Sequence, residues 1–509
     1  VSCQHALVLR LLIVVGLSLA ASARAQQGAP LRWGADGQGG APYVFRDPMD
    51  PTRLVGFEVE LAELLAQRLG LASRPVLGPW DRLLELLARG DVDVALNGVE
   101  VADEKRRVAL LSRPYFAAAE VLTVRRSDPA APRTLEALRG KRVGTLPGSL
   151  AERIARRAGA DVRTYEGGQD ELYDDLARAR TDAVLIDEPI ARYYGELDEA
   201  LETVRGDFGV VQYAAAVRLD DAARRDALDA ALGALAADGS LRRLYERWGL
   251  WSPATAALLD DDEVTPRGPA PELERWRAAV GKLPAFSQRL TTRYPAYLPL
   301  FVEGAGLTLL VSVLAMALAM ALGVLLAAGR RLGPAALRWA ATAYVELFRG
   351  TPLLVQLTVI YFGLPELGLE LSPLAAGVLA LGLNYAAAEA ENYRAGLESV
   401  PEGQREAAEV LGLSRLDTLR FVIGPQALRV AIPPMTNDFI ALLKDSSLVS
   451  VVTLTELTKT YTTLASSTRD HLGLGLVVAF CYLAVGLPFA RLARAVEARF
   501  ARHLSREGA

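Results

Sequence analysis

Gly306–Ala328, GLTLLVSVLAMALAMALGVLLAA, is a run of 23 residues without a single charge. As a helix it rises about 34 Å, enough to cross the roughly 30 Å hydrocarbon core of a bilayer. Four more apolar regions follow: Trp339–Phe348 with Leu353–Leu364, Leu374–Ala388, Phe439–Leu454 and Leu472–Ala490. The first of these is interrupted by Arg349-Gly350-Thr351-Pro352, and ionisable residues flank or interrupt the next two. Arg330, Arg331 and Arg338 follow the first span, and Arg491, Arg494, Arg499, Arg502 and Arg506 follow the last. The stretch holding Glu366 and Glu370 has no basic residue. Short basic loops stay inside, so this asymmetry predicts five spans over 297–509, with an outside N-terminal side and an inside C-terminal side.

Upstream the character reverses. Leu11–Ala20 with Ala23-Arg24-Ala25 reads as a signal peptide over residues 1–25, its ten-residue apolar run too short to span. From Leu31 to about 250, short β-branched runs alternate with helix-period stretches, the pattern of an α/β domain. Helices are expected at Glu58–Leu69, stopped by Gly70, at Asp81–Arg89, stopped by Gly90, and within Leu219–Trp248. Buried strands are expected at Val92–Leu96, Arg142–Gly144 and Ala183–Ile186. The segment 253–296 carries the acidic run Asp260–Glu263 and six prolines and reads as a linker, with one short helix near Glu272–Val280.

Composition removes several functions. Basic and acidic side chains number 56 and 60, a net charge of −4, which disfavours nucleic-acid binding by phosphate neutralisation. Two cysteines (Cys3, Cys481) and three histidines (His5, His471, His503) leave no material for a disulfide framework or a metal site, and no catalytic set stands out.

The upstream segment resembles the bacterial polar amino-acid-binding proteins, the two-lobed type II periplasmic binding fold. The resemblance rests on Leu31–Asp36 with Ala41–Phe45, on Leu54-Val55-Gly56-Phe57-Glu58-Val59-Glu60, and on Asp91–Gly98 followed by Ser112-Arg113-Pro114-Tyr115. Leu135–Gly144 and Asp182–Asp187 extend it. It implies a solute-binding domain over 26–252, with lobe 1 at about 31–124 and 214–250 and lobe 2 at about 125–213. A zwitterion held between lobes needs a cation and helix-start N–H groups for its carboxylate, and an acid for its ammonium.

By resemblance Asp187 takes the ammonium, Ser149 the carboxylate, Trp80 and Tyr43 wall the side chain, and Asp36 and Gly98 border the ligand. Each has a plainer reading: Ser149 as a helix N-cap, Asp187 as a cap before Pro189, and Trp80 as a core residue. The family's carboxylate-binding arginine is replaced by Lys105, with Arg106 next to it, so either residue could hold the carboxylate. Glu100 stands where the family has threonine. An extra carboxylate favours a cationic ligand, a preference that vanishes if Glu100 pairs with Lys105. The stretch Gly37-Gln38-Gly39-Gly40 replaces a segment that supplies an aromatic.

The downstream segment resembles ABC importer permeases of the amino-acid branch. Glu406-Ala407-Ala408, then Gly412 and Pro425, match their EAA motif within a coupling loop at about 396–426. Glu346–Gln356 and Leu442–Ser450 match as well. The resemblance implies a five-helix all-α permease in the inner membrane, with Glu406, Ala407, Ala408 and Gly412 docking an ABC ATPase. The plainer reading of that loop is an ordinary amphipathic helix. No G-x4-G-K-[ST] segment occurs, so ATP and magnesium belong to a separate ATPase dimer, and this chain needs no cofactor of its own. Joined, the two halves imply an importer component that captures a polar or basic amino acid outside, pairs with a second permease, most simply a copy of itself, and is no enzyme. The linker would set a local ligand concentration of order millimolar if flexible. An amino-acid-gated receptor or channel is the alternative, although no potassium-type filter or signalling domain is present.

Overall fold

Leu31–Ala35 has the short, apolar, both-faces-buried character of a central parallel strand, and it forms β1 of a computed structural model describing residues 29–37, 40–165, 168–281, 283–369, 371–452 and 454–504. The signal-peptide reading of 1–25 lies outside the described residues, as do Gln38, Gly39, Glu370 and Arg506. The chain divides into two compact units, the first ending at Ala285 and taking in Ser466–Arg469, the second formed by Phe286–Ala465 and the residues from Asp470 on.

The first unit contains two large sheets and a two-stranded one, in which Phe45–Arg46 pairs with Leu54–Val55. The strands are β1, β2 (Phe45–Arg46), β3 (Leu54–Val55), β4 (Ser73–Leu77), β5 (Val94–Ala95), β6 (Leu110–Leu111) and β7 (Phe116–Arg125). They continue with β8 (Arg142–Thr145), β9 (Asp161–Thr164), β10 (Ala183–Asp187), β11 (Leu201–Val204), β12 (Val210–Tyr213) and β13 (Ala216–Val217). One sheet runs β4-β1-β5-β13-β6, and the other runs β11-β7-β10-β8-β9 with β12 paired to β7. The chain crosses between sheets twice, at 112–115 and 214–215. All of β7 belongs to the second sheet, so the expected lobe boundary at 124/125 is too late. Ten continuous residues, nearly all buried, make β7 a single strand that no turn divides.

The anticipated helices hold with small shifts. Phe57–Arg68 is followed by Gly70 at φ +69°. The Asp81–Arg89 expectation becomes one 3₁₀ turn, Trp80–Arg82, and a shorter helix, Leu83–Ala88.

The linker reading requires a larger correction. Pro253–Leu258 and Pro271–Val280 are helices, and Leu273, Trp276, Ala279 and Val280 are buried in the same core as Phe45, Tyr193, Tyr194 and Trp248. Proline at the first turn of each helix is compatible with helix entry, so proline content here marks starts rather than a free tether.

The second unit is helical. Tyr294–Leu332 packs along Pro373–Glu398, with Gly323 admitting Glu389: a Cβ at Gly323 would sit 2.7 Å from that of Glu389. Among the described residues, Tyr294–Leu332 and His471–Ala495 are long and apolar enough to cross a membrane, and Ala335–Gly350 with Leu353–Leu367 makes a third if it is one span bent by 106°. Gln356 pins that bend: its amide donates to the Phe348 and Thr351 carbonyls, and Asn384 donates to the Gln356 Oε1 at 3.1 Å. The apolar region at Phe439–Leu454 is not one helix. A helix over Gly424–Asp445 ends there and a 3₁₀ segment, Ser446–Val452, follows. Asp445 accepts from Tyr385 at 2.7 Å, a structural anchor for the Lys444-Asp445 pair.

Candidate functional site

The loop at Pro42–Tyr43 is held against the start of the first long helix by backbone hydrogen bonds. The Phe57 N–H donates to the Pro42 carbonyl at 2.9 Å and the Glu58 N–H to the Tyr43 carbonyl at 3.4 Å, so the helix start holds Tyr43. The Tyr43 hydroxyl donates to Asp187 Oδ2, and Tyr213 donates to the same oxygen at 2.8 Å. Asp187 ends β10, as the sequence anticipates, and it contacts lobe 1 through Tyr43.

Around this pair lie the other expected residues. Asp36 Oδ2 accepts from the Trp80 N–H at 3.2 Å, and the Trp80 indole donates to the Asn97 carbonyl at 2.8 Å. Gly98, at φ +69°, lies against the Tyr43 and Tyr213 rings, where an added Cβ would be 3.5 Å from each. Lys105 is half-buried with its ammonium 5.3 Å from the Trp80 ring centroid, a cation–π distance, while Arg106 is exposed on the same short helix. Of the two candidates for the carboxylate, Lys105 is the one placed against Trp80.

Ser149 takes its plainer reading. Its hydroxyl accepts from the Glu152 N–H at 3.1 Å and donates to the Leu146 carbonyl at 2.7 Å, the bonding of a helix N-cap. Glu100 departs further from expectation. It accepts from the Leu150 N–H and from Arg153, each at 2.9 Å, and so sits at the start of Leu150–Arg157 rather than pairing with Lys105. The cationic preference inferred from Glu100 disappears, because Arg153 neutralises it.

Four residues escaped the sequence reading: Glu58, Glu120, Arg153 and Tyr213. Glu58 is fully buried, accepting from the Gly98 N–H at 2.8 Å and from Tyr115, and it supports the left-handed Asn97-Gly98 turn. Burial pushes its carboxyl up to about 7 and that of Asp187 up to about 6.

A carboxyl that holds its proton more tightly folded than unfolded favours folding at low pH, and that contribution is lost as pH rises through the folded value. For Glu58 it amounts to roughly 3 kcal/mol. The unfolding transition of the first unit, without ligand, is therefore expected at a higher temperature at pH 5 than at pH 7.5. Glu58→Gln should shrink that difference, and an unchanged pH dependence in this variant would count against the assignment. Ion-paired Asp93 and Asp182, held below the ordinary range, act in the opposite sense only in more acid solution.

In the second unit, Glu402–Val410 is a short helix with Glu406 and Ala407 exposed and Ala408 buried. Gly412 at φ +77° turns the chain, its N–H donating to the Glu409 carbonyl and the Leu413 N–H to the Ala408 carbonyl, a left-handed C-cap. Val410 is 87% exposed and Leu411 79% exposed beside it. Apolar residues so displayed next to a charged helix suit a docking surface.

Two families match the chain. Residues 31–250 match the bacterial extracellular solute-binding proteins, family 3, and residues 319–502 match the binding-protein-dependent transport system inner membrane component. The probable amino-acid ABC transporter permease protein YckA of Bacillus subtilis (strain 168) is 35% identical over 206 residues, 40% of this chain and 91% of its own. The glutamine transport system permease protein GlnP of Escherichia coli (strain K12) is 38% identical over 208 residues, 40% of this chain and 94% of its own. A solved structure described as an amino acid ABC transporter with histidines is 35% identical, with a TM-score of 0.40, over 43% of this chain and 100% of its own.

Proposed function

Because this chain belongs to the amino-acid ABC transporters, with a family 3 solute-binding domain and an inner-membrane permease domain fused in one polypeptide, we propose that it captures a polar or basic amino acid in the interlobe cleft and passes it through its own permease. The observation that carries this reading is one polypeptide holding both a cleft of opposed charges, Lys105 and Asp187, and an exposed EAA helix ending at Gly412.

In this reading the carboxylate meets Lys105 and Ser149 at the helix start, beside the Leu150 N–H that Glu100 already occupies, and the ammonium meets Asp187. Trp80, Tyr43, Asp36 and Gly98 shape the remaining wall, and Glu100 with Arg153 joins the lobes across it. Two copies of the permease pair in the inner membrane, each with five spans, the binding domain on the periplasmic side. The helices Pro373–Glu398 and Gly424–Asp445 supply the spans whose ionisable residues weaken their apolar signature. A separate ATPase dimer carrying ATP and magnesium docks on Glu406, Ala407, Ala408 and Gly412 from the cytoplasm. No observation favours the receptor or channel alternative.

Full-length chain in proteoliposomes with its ATPase subunit should hydrolyse ATP faster when an amino acid is supplied on the binding-domain side. The double variant Glu406→Ala, Gly412→Ala should retain amino-acid binding and lose at least tenfold in ATPase capture. Alanine lacks the acid and strains a left-handed position by about 1 kcal/mol. Capture at wild-type strength by this variant would exclude the docking scheme.

A further inference from the structure

Glu120 is the only charged residue in the interior of β7, FAAAEVLTVR, and it is paired directly with Asp187 in the β7–β10 register. Directly opposed residues carry their side chains on one face of a sheet, with Cβ atoms about 5 Å apart. Glu120 is 2% exposed and Asp187 5% exposed. Asp187 Oδ2 is satisfied by two tyrosines, yet its Oδ1 has no partner, and no described residue donates a hydrogen bond to the Glu120 carboxylate, whose Oε2 is fully buried. Two buried acids side by side with no ion pair among the described residues are costly, and burial next to Asp187 and Glu100, only partly offset by Arg153, pushes the Glu120 carboxyl well above the usual range.

Charge matching in the cleft isolates this pair. Glu100 is matched by Arg153 at 2.9 Å and by the Leu150 N–H. Glu58 lies behind the Asn97-Gly98 turn that it supports. Lys105 makes no ion pair among the described residues and rests on Trp80. Among the described residues the cleft groups left without an ion pair are one cation, Lys105, and one acidic pair, Asp187 with Glu120, the fields of Glu100 and Arg153 acting on them only from a distance. A zwitterion with a neutral side chain offers one negative and one positive group and leaves the second acid unmatched. A basic amino acid offers one negative and two positive groups.

We propose that Glu120 is a second cation anchor beside Asp187, and that the cleft selects a basic amino acid whose side-chain cation is held by Glu120. This rests on the amino-acid-binding reading above. It differs from the residue that the sequence suggested, since the selecting acid is Glu120 and not Glu100.

The test is calorimetric titration of the full-length chain in detergent with L-arginine, L-lysine, L-ornithine, L-glutamine and L-glutamate, before and after Glu120→Gln. A charge-assisted contact of this kind corresponds to 10- to 100-fold in affinity. The wild-type chain should bind at least one of the three basic amino acids at least tenfold tighter than glutamine. In Glu120→Gln, a near-isosteric change, the ratio of glutamine to basic-ligand Kd should fall towards one. Wild-type binding of glutamine or glutamate as tight as any basic amino acid would overturn the inference while leaving amino-acid capture standing, and it requires no variant to fold. Basic selectivity that survives Glu120→Gln would also overturn it, making Glu120 a buried acid with no ligand role. Binding of none of the five would overturn both this inference and the reading beneath it.

Discussion

Gly56→Ala should abolish amino-acid binding and destabilise the first unit by more than about 3 kcal/mol. Gly56 has φ +140° and ψ 159°, a region open essentially to glycine alone, so alanine costs about 1–3 kcal/mol in backbone strain before any contact is considered. The contact is worse. An added Cβ would lie 1.9 Å from the Tyr43 carbonyl oxygen and 2.6 Å from its carbon. Both are backbone atoms, so no rotamer change relieves the overlap and the segment Pro42–Tyr43 must move. That segment accepts the first two N–H groups of the helix Phe57–Arg68 and aims the Tyr43 hydroxyl at Asp187. One methyl group therefore disturbs the helix start, Tyr43 and its bond to Asp187 together. Thermal unfolding of the full-length variant, with a titration of the wild-type ligand, measures both effects. A variant with wild-type melting and affinity would show that the Gly56 turn does not fix the cleft.

Gly56 also illustrates what was legible in the sequence. Leu54–Glu60 declares a glycine-entered helix, and Asp187 declares itself as an acid at the end of an apolar strand. Such features are local, and local chemistry survives folding with little reinterpretation. What depended on partners distant in sequence was not legible. Lys105 and Arg106 differ only in the phase of a four-residue helix, too short to show a period, and the choice between them comes from Trp80, 25 positions away. The pairing of Glu100 was not legible because its partner Arg153 lies 53 residues on, in the other lobe. Glu120 was overlooked because β7 is buried on both faces and has no alternation against which one acid stands out. Its meaning comes from the register with β10. The helices of the second unit divide the same way. Gly306–Ala328 is unmistakable, whereas Pro373–Glu398 and Gly424–Asp445 carry polar groups that pair across the helices, Asn392 donating to Asp438 at 2.7 Å, and so have a weaker apolar signature.

Trp276→Ala should destabilise the first unit by about 3–5 kcal/mol, the cost of deleting a large aromatic from a packed core. A mere tether would show no effect, so this variant separates the composition-based reading of 253–296 from the packed one. Trp276 is 2% exposed, with ring centroids 5.0 Å from Phe45 and 5.7 Å from Tyr194, and its indole donates to the Tyr193 carbonyl at 3.1 Å. Phe45 belongs to the first lobe, and Tyr193 and Tyr194 to the second. The flanking arginines repeat the division, with Arg275 paired to Asp47 and Arg277 to Glu196 at 3.0 Å. The helix Pro271–Val280 therefore spans both lobes, and separating them must break contacts to Trp276 on one side or the other. If those contacts form only when the lobes are together, Trp276→Ala also weakens amino-acid binding, because the closed arrangement loses part of its stabilisation. Calorimetry on the full-length variant reads both quantities. A lowered melting temperature with unchanged affinity would confine Trp276 to the core, whereas an unchanged melting temperature would return residues 253–285 to the role of a tether.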